Sequence, residues 1–177
     1  MLTDAFIGIG SNQGNRLGYI KRAVSMLRDT TGIRLDSVSS IYESPAHVLE
    51  GAPPQADYFN AVCHAETELS ATALLDACLR IEELCGRVRT AGTKWESRTL
   101  DLDILVYGSE TISGLDLSIP HERMAERSFV LVPLAEIAPD LHIPPPIDAP
   151  VRYLLGNCPD TGALRMVIPR SSLLRDE

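Results

Sequence analysis

Alternating and β-branched apolar positions predict four main strands in this chain of 177 residues. The segment 4–11, DAFIGIGS, alternates apolar and polar positions as a half-buried strand does. Residues 33–42 and 58–68 have the same character. The stretch 100–106 is an apolar run interrupted by two aspartates. These four segments predict a β-sheet.

Apolar residues with a helical period predict three main helices. The first covers residues 17–28. The second follows Ser70, which is a favourable N-cap, and ends at Gly86. The third covers residues 129–138, and a shorter helix is predicted near 151–155.

The order of these elements predicts an α+β fold. A βαββαβ succession is typical of the ferredoxin-like arrangement, an antiparallel sheet with helices packed on one face. A hairpin is expected around Gly108 and Gly114, and C-terminal additions follow residue 144. With 177 residues, of which 45% are hydrophobic, we expect a single domain over 1–177.

Charge and composition exclude several classes of protein. A net charge of −8 argues against general nucleic-acid binding, which needs a broad basic surface. No apolar run approaches the roughly 20 residues of a membrane helix, and the N-terminus lacks the pattern of a signal peptide. We therefore expect a cytoplasmic protein without a membrane partner. The four cysteines form no C-x-x-C pair and are expected to be reduced thiols in the core.

Asp101 and Asp103 are the most unusual residues of the predicted sheet. In a strand, residues two apart point to the same face, so these carboxylates lie side by side. Adjacent carboxylates repel, and a cation between them would remove that repulsion. Carboxylates without nearby His or Cys suit Mg²⁺, which completes its shell with water and substrate phosphates. The same D-x-D pattern also fits a strand with one solvated face.

Two long loops, 44–57 and 87–98, are candidate lids over a site. The second carries Arg87, Arg89 and Arg98 directly before the aspartates. Arginine forks beside a metal-binding pair suit a polyphosphate. Ordinary surface charge is the alternative for each arginine taken alone. No Walker A motif is present, because the glycine-rich segment lacks the Gly-Lys-Ser/Thr ending.

Several blocks resemble one enzyme family. RTLDLDIL (98–105) resembles the signature of 6-hydroxymethyl-7,8-dihydropterin pyrophosphokinases of folate biosynthesis. Further blocks follow in the family's order: GSNQGN (10–15), SSIYESP (39–45), DYFNAV (57–62), RIEELCGRVR (80–89) and PHERMAERSFVLVPLAEIAPD (120–140). The resemblance ends near residue 145.

The resemblance implies a reaction and its catalytic residues. Pyrophosphate passes from ATP to the hydroxymethyl group of the pterin, which gives the pterin diphosphate and AMP. The resemblance implies two Mg²⁺ ions on Asp101 and Asp103, with Arg87 and Arg98 acting on the phosphates. ATP and the pterin are the expected partners, and a monomer is the expected state.

The resemblance also assigns binding residues. Those expected for the pterin are Ser44, Pro45, Tyr58, Asn60, Trp95 and Phe129. Those expected for ATP are Glu82, Arg89, His121 and Arg127. Taken singly, Glu82 also fits a solvated helix carboxylate, and Trp95 fits a hydrophobic anchor of its loop. Asp116 and Glu122 depart from the family pattern and are expected to put acidic groups near the phosphates.

Two other functions fit parts of the sequence. GIGSNQG follows a strand and opens a helix, as in dinucleotide-binding modules, but Gln13 stands where the third glycine belongs. A non-catalytic pterin- or nucleotide-binding protein would keep the pterin residues without needing the aspartate pair. Pterin-dependent formation of AMP from ATP separates these functions from the pyrophosphokinase.

Overall fold

A computed structural model describes residues 2–46, 55–87 and 97–173. The predictions for Arg89 and Trp95 fall outside these ranges. In chain order the helices and strands are β1 (Thr3–Ser11), α1 (Arg16–Asp29), β2 (Ile33–Val38), β3 (Ile41–Ser44), β4 (Tyr58–Thr67), α2 (Ala71–Leu84), β5 (Asp101–Tyr107), β6 (Ile112–Ser113), β7 (Ser118–Ile119), α3 (Ser128–Ile137), β8 (His142–Ile143), β9 (Ala149–Pro150), α4 (Val151–Gly156) and β10 (Arg165–Ile168).

The main sheet is antiparallel throughout, with strand order β10-β3-β4-β1-β5 and with β2 also paired to β4. The predicted antiparallel α+β architecture is therefore confirmed. A dinucleotide-binding module of the Rossmann type would need a parallel sheet, so the register excludes that alternative. The hairpin predicted around Gly114 is also present, because β6 pairs with β7 across this glycine.

The strand predicted over 33–42 is interrupted in the structure. At Ser39 the hydroxyl oxygen accepts the backbone N–H of Val62 at 2.9 Å, in place of a regular ladder bond. Ser40 turns away from the ladder and donates through its N–H and its hydroxyl to Glu136, each at 2.8 Å. Serine hydroxyls can replace backbone partners in this way, which allows the strand to bend between β2 and β3.

Helices lie on both faces of the sheet, so the prediction of helices on one face is wrong for α3. On one face, α1 and α2 cover a core that contains Ile7, Ile20 and Leu74. On the other face, Val130 and Leu134 of α3 pack in a second core with Val62. The reason is the alternation of β4, whose odd positions 61, 63 and 65 belong to the first core.

The C-terminal additions include two strands that the sequence pattern did not predict, β9 and β10. The short strand β10 pairs with β3 at the edge of the main sheet. Cys63, Cys78 and Cys85 are buried free thiols, as expected, and burial raises the pKa of Cys63 to about 12. None of the helices in the described ranges combines the length and apolar character needed to cross a membrane.

Candidate active site

A cavity of about 1090 Å³ lies between one end of the main sheet and the beginning of α3. Its floor is formed by β1 at Gly8 and Gly10, where no side chain fills the space. A Cβ atom on Gly10 would lie 3.7 Å from Asn60 Oδ1, so a longer side chain there would enter the cavity. A volume of this size exceeds that of a typical site for one small ligand.

Most of the predicted site residues lie together around this cavity. The predicted residues that line it are Ser44, Pro45, Tyr58, Asn60, Arg87, Arg98, Asp101, Asp103, His121, Arg127 and Phe129. Glu82 is not among the lining residues. The antiparallel register explains the convergence, because β1 brings Asn60 of β4 and Asp101 of β5 to either side of Gly10.

Asp101 lies between two arginines. Arg87 Nη1 is 2.6 Å from Asp101 Oδ1, and Arg98 Nη1 is 2.7 Å from Asp101 Oδ2. Charge-assisted bonds of this length are strong. Burial is the largest single influence on Arg98 and lowers its pKa. The charge and hydrogen bond of Asp101, together with Tyr58 and Asp103, outweigh burial, so the pKa is raised. Each carboxylate oxygen of Asp101 is therefore paired with a guanidinium group.

Asp103 has a different environment from Asp101. Desolvation and then the nearby negative charge of Asp101 raise its pKa, against the opposing effect of Arg127, and the result is a pKa of about 7. Its side chain remains 44% exposed. The pair therefore combines one neutralised carboxylate with one whose negative charge is poorly compensated.

His121 lies next to Asp103, with 3.9 Å between His121 Nε2 and Asp103 Oδ2. Desolvation lowers the pKa of His121, and the positive charge of Arg127 lowers it further. The ring nitrogen Nδ1 accepts the backbone N–H of Arg123 at 3.2 Å. A neutral ring with this partner carries its proton on Nε2, so His121 presents a hydrogen-bond donor to the cavity.

The two aspartates fit a hard divalent cation. Both line the cavity, and their apolar neighbours Leu102 and Ile104 point into the first core, as the alternation predicts. No group of three or more His, Cys, Asp and Glu residues in the described part of the chain is arranged to hold a metal. Among the described residues, Asp101 and Asp103 are the two carboxylates that lie side by side on β5 and face the cavity. This donor set fits Mg²⁺ that takes its other ligands from water and phosphate.

Glu82 lies behind the cavity and is almost fully buried, with 1% of its surface exposed. Its Oε1 atom accepts the backbone N–H of Leu102 at 2.7 Å, between the two aspartates. The same atom lies 2.5 Å from Arg87 Nη1. The interpretation of Glu82 as a solvated carboxylate is therefore wrong. This side chain therefore links α2 to Arg87 by an ion pair and to β5 by a hydrogen bond.

The predicted pterin residues form one end of the cavity. Asn60 Nδ2 donates to Ser44 Oγ at 2.9 Å, which directs the amide along the cavity wall. Burial raises the pKa of Tyr58, so its ring and hydroxyl remain neutral. At the start of α3, the Arg127 guanidinium lies 5.6 Å from the centre of the Phe129 ring. Flat apolar rings beside an amide suit a planar heterocycle.

Asn12 is a site residue that the sequence interpretation missed. Its Oδ1 accepts the backbone N–H of Arg98 at 2.7 Å, and its Nδ2 donates to the carbonyl of Ala56 at 3.2 Å. The side chain is 2% exposed. It therefore connects the described ends of both long loops. The signals in the sequence were a polar residue directly after the strand end at Ser11 and its place in the block GSNQGN.

Two departures from the family pattern lie away from the cavity. Neither Asp116 nor Glu122 lines it. Glu122 instead accepts the hydroxyl of Ser118 at 3.0 Å. Their carboxylates therefore do not form part of the cavity wall, and the expectation of acidic groups near the phosphates stays a prediction.

Comparison with known proteins gives a consistent result. Residues 6–139 match the 7,8-dihydro-6-hydroxymethylpterin-pyrophosphokinase family. The 2-amino-4-hydroxy-6-hydroxymethyldihydropteridine pyrophosphokinase of Methylorubrum extorquens is 42% identical over 142 residues, which cover 80% of this chain and 87% of that protein. The corresponding enzyme of Haemophilus influenzae is 45% identical over 140 residues, which cover 79% of this chain and 84% of that protein.

The fold also matches solved structures. A HPPK-DHPS protein of Plasmodium falciparum superposes with a TM-score of 0.70 at 13% identity. The match covers 89% of this chain but 45% of that protein, so the chain spans less than half of its length. At this identity the likeness concerns the fold alone. The sequence matches decide the family: the chain belongs to the 7,8-dihydro-6-hydroxymethylpterin-pyrophosphokinases, enzymes that transfer a pyrophosphoryl group to hydroxymethyldihydropterin in folate biosynthesis with ATP as co-substrate.

Proposed function

We propose that the cavity is the active site for this transfer and that the residues lining it perform the chemistry. The hydroxymethyl oxygen of the pterin forms a bond to the β-phosphorus of ATP. The bond from that phosphorus to the α–β bridging oxygen breaks, AMP leaves with this oxygen, and the hydroxyl proton is lost. The observation that supports this is the meeting of Asp101 and Asp103 with four arginines and a flat aromatic subsite in one cavity.

Asp101 and Asp103 are proposed to hold two Mg²⁺ ions. When bound, Mg²⁺ neutralises the triphosphate and stabilises charge on the attacking and leaving oxygens. The poorly compensated charge of Asp103 supports this role, because such a carboxylate gains most from a nearby cation. His121 adds a neutral N–H donor beside Asp103, which is suited to a phosphate oxygen.

Arg87 and Arg98 are proposed to change partners during the reaction. Both donate to Asp101, at 2.6 and 2.7 Å. A cation held by Asp101 would compete with these guanidinium groups for the carboxylate, and Arg87 and Arg98 would then donate to the phosphate oxygens. Arginine forks suit this task, because they donate in a fixed geometry and stay charged. Arg127 lines the same cavity and adds a third positive charge.

The pterin is proposed to bind between Tyr58 and Phe129, with Asn60 and the backbone at Ser44 and Pro45 reading its polar edge. Orientation is the main contribution of the protein, since phosphoryl-type transfer depends on in-line positioning and on charge stabilisation. Exclusion of water matters as well, because attack by water would hydrolyse ATP. Arg89 and Trp95 are proposed for ATP and pterin binding on the resemblance alone.

The test is pterin-dependent formation of AMP. The parent protein is incubated with ATP, Mg²⁺ and 6-hydroxymethyl-7,8-dihydropterin, and AMP is followed by chromatography. We expect AMP only when all three are present. Asp101→Asn and Asp103→Asn keep the side-chain volume and should lose at least about a thousandfold in kcat, a loss typical of removing key charge stabilisation. Asp116→Asn, outside the cavity, is the matched control.

The outcomes separate the alternatives. Pterin binding by calorimetry without AMP formation would leave a non-catalytic binding protein. Normal AMP formation by both aspartate variants would refute the proposed metal role. The number of ions is tested by counting bound Mn²⁺ in place of Mg²⁺ with α,β-methylene-ATP. Two ions per chain are expected, and fewer in Asp103→Asn.

The domain organisation, the oligomeric state and the location of the protein are proposed together with this function. We infer that residues 1–177 form a single domain with a ferredoxin-like core. The chain order β1-α1-β2/β3-β4-α2-β5 and the strand order β3-β4-β1-β5 support this inference. A monomer and a cytoplasmic location stay predictions, and sedimentation of the purified chain tests the first.

A further inference from the structure

We propose that Asp160 is a positioning residue of the active site and that the C-terminal segment serves to deliver it. Asp160 lies outside the part of the chain that matches the family, which ends at residue 139. Its carboxylate nevertheless lies at the start of α3 and lines the cavity. The proposal rests on the proposed function, because it concerns how Arg127 and Phe129 are held for the substrates.

Asp160 supplies a cap that the helix lacks locally. The residue at the N-cap of α3 is Arg127, whose side chain makes no capping bond. Asp160 Oδ2 accepts the backbone N–H of Ser128 at 2.9 Å and its hydroxyl at 2.7 Å. A carboxylate at this position satisfies a backbone donor that has no partner within the helix, and it interacts favourably with the helix dipole.

The first turn of α3 carries two of the proposed binding residues. Arg127 directly precedes Ser128, and Phe129 directly follows it, so both flank the residue that Asp160 holds. Both of them line the cavity. A frayed first turn would let the guanidinium and the ring move together. Holding Ser128 therefore fixes the geometry of both side chains at once.

The carboxylate of Asp160 is itself held in place. Its second oxygen, Oδ1, accepts the backbone N–H of Gly162 at 2.9 Å, which fixes the turn after Asp160. Since both oxygens accept bonds from the protein, the structure favours a positioning role over direct contact with a substrate. Removal of Asp160 would leave the Ser128 N–H without this acceptor.

The segment that carries Asp160 is anchored beyond it. Residues 165–168 form β10, which pairs with β3. Arg165 forms an ion pair with Glu43 of β3 at 2.5 Å. Further along, the backbone N–H of Arg170 donates to Ser40 Oγ at 3.0 Å. These contacts lie on β3 or directly before it, and β3 ends at the proposed pterin residue Ser44. The tail thus links α3 to the edge of the sheet.

The experiment compares Asp160→Ala, Asp160→Asn, Ser128→Ala and the double variant Ser128→Ala/Asp160→Ala. We expect Asp160→Ala to raise KM for the pterin about tenfold with less than about a threefold fall in kcat, a weakening of binding equal to 1.4 kcal/mol. Asp160→Asn retains an acceptor oxygen and should restore most of the affinity. Calorimetry with α,β-methylene-ATP and the pterin measures binding independently of turnover.

The control variant is Asp140→Ala, which removes an exposed ion pair with Arg152 at the other end of α3. It should leave both KM values unchanged. If Asp160 acts through Ser128, the double variant costs no more affinity than Asp160→Ala. A lowered melting temperature with unchanged pterin affinity in Asp160→Ala, or additive losses in the double variant, would overturn the proposal. AMP formation by the parent tests the proposed function separately.

Discussion

At the scale of single residues, Asp103 makes stability depend on pH. Its pKa is raised from 3.8 to about 7 in the folded protein. Between pH 4 and pH 7 the folded state therefore binds more protons than the unfolded state, and the free energy of unfolding falls as pH rises through this range. In the absence of metal, Asp103→Asn should melt near the parent at pH 4 and above it at pH 8, with the difference growing between these values. Melting curves recorded by circular dichroism test this.

Magnesium should reverse this dependence. A cation requires the ionised carboxylate, so binding releases a proton wherever Asp103 is protonated. Added Mg²⁺ with α,β-methylene-ATP should therefore raise the melting temperature of the parent more at pH 8 than at pH 6. The same addition should have a smaller effect on Asp103→Asn at both pH values. Parallel melting profiles of parent and variant across this range would contradict the pKa assignment.

Asn12 provides a second prediction at this scale. Asn12→Ala removes the bonds to the Arg98 N–H and the Ala56 carbonyl and leaves both groups without these partners. We expect kcat/KM to fall about tenfold or more, because each 1.4 kcal/mol of lost transition-state stabilisation is tenfold. Steady-state AMP formation measures the loss.

Asn15→Ala is the matched control for Asn12. Asn15 lies in the same segment, and its side chain caps α1 by accepting the Gly18 N–H at 3.0 Å. Its removal should cost about 1 kcal/mol of stability. It should leave kcat/KM unchanged, because the hydrogen bonds of Asn15 within the described residues go to Gly18 and Tyr19 of α1. Equal kinetic losses in the two variants would mean that Asn12 acts through general stability alone.

At the scale of elements, the junction of α2 and β5 determines where Arg87 lies. Glu82→Gln keeps an acceptor for the Leu102 N–H but removes the charge that faces Arg87. We expect the variant to fold and to lose about tenfold in kcat, since the guanidinium is then held by a neutral amide. Glu82→Ala should also lower the free energy of unfolding by about 3 kcal/mol, the scale for breaking a buried ion pair.

Glu83→Gln is the control for Glu82→Gln, because it removes one negative charge from the same end of α2 without removing the contact with Arg87. Glu83 is exposed and is the next residue along α2. Its neutralisation changes the net charge as much as Glu82→Gln does, but it should leave kcat and stability close to the parent values. A kinetic loss in Glu83→Gln equal to that in Glu82→Gln would refute the positioning role of Glu82.

The strands and helices also show which structural features the sequence pattern can predict. The alternation in 100–106 correctly placed Leu102 and Asp103 on opposite faces, because side-chain direction in a strand is a local property. The break at Ser39 was missed, since it depends on hydrogen bonds to Val62 and Glu136. The face chosen by α3 was also missed, because an apolar helix can pack on either side of a sheet.

At the scale of the whole molecule, the sequence predicted many of the residues that line the cavity. It did not predict the contacts that these residues make. The family blocks identified side chains that do converge, such as Tyr58 and Asp101. The side chains that position other parts of the site are distant in sequence from the residues that they contact. Asn12 and Arg98 are 86 positions apart, and Ser128 and Asp160 are 32 apart. Nothing in a local pattern specifies such pairs, which follow only from the complete fold.

Closure over the whole site gives the last prediction, and Trp95 is its reporter because it is the only tryptophan. The residues on either side of the segment 88–96, Arg87 and Ser97, both line the cavity. We therefore expect Trp95 fluorescence to change when the pterin and α,β-methylene-ATP bind together with Mg²⁺. The variant Trp95→Phe is the control, because without the tryptophan any change in fluorescence comes from the ligands themselves. Calorimetric binding of both ligands without any change in fluorescence would contradict a closing role for Trp95, and it would favour an anchor that stays in place during the reaction.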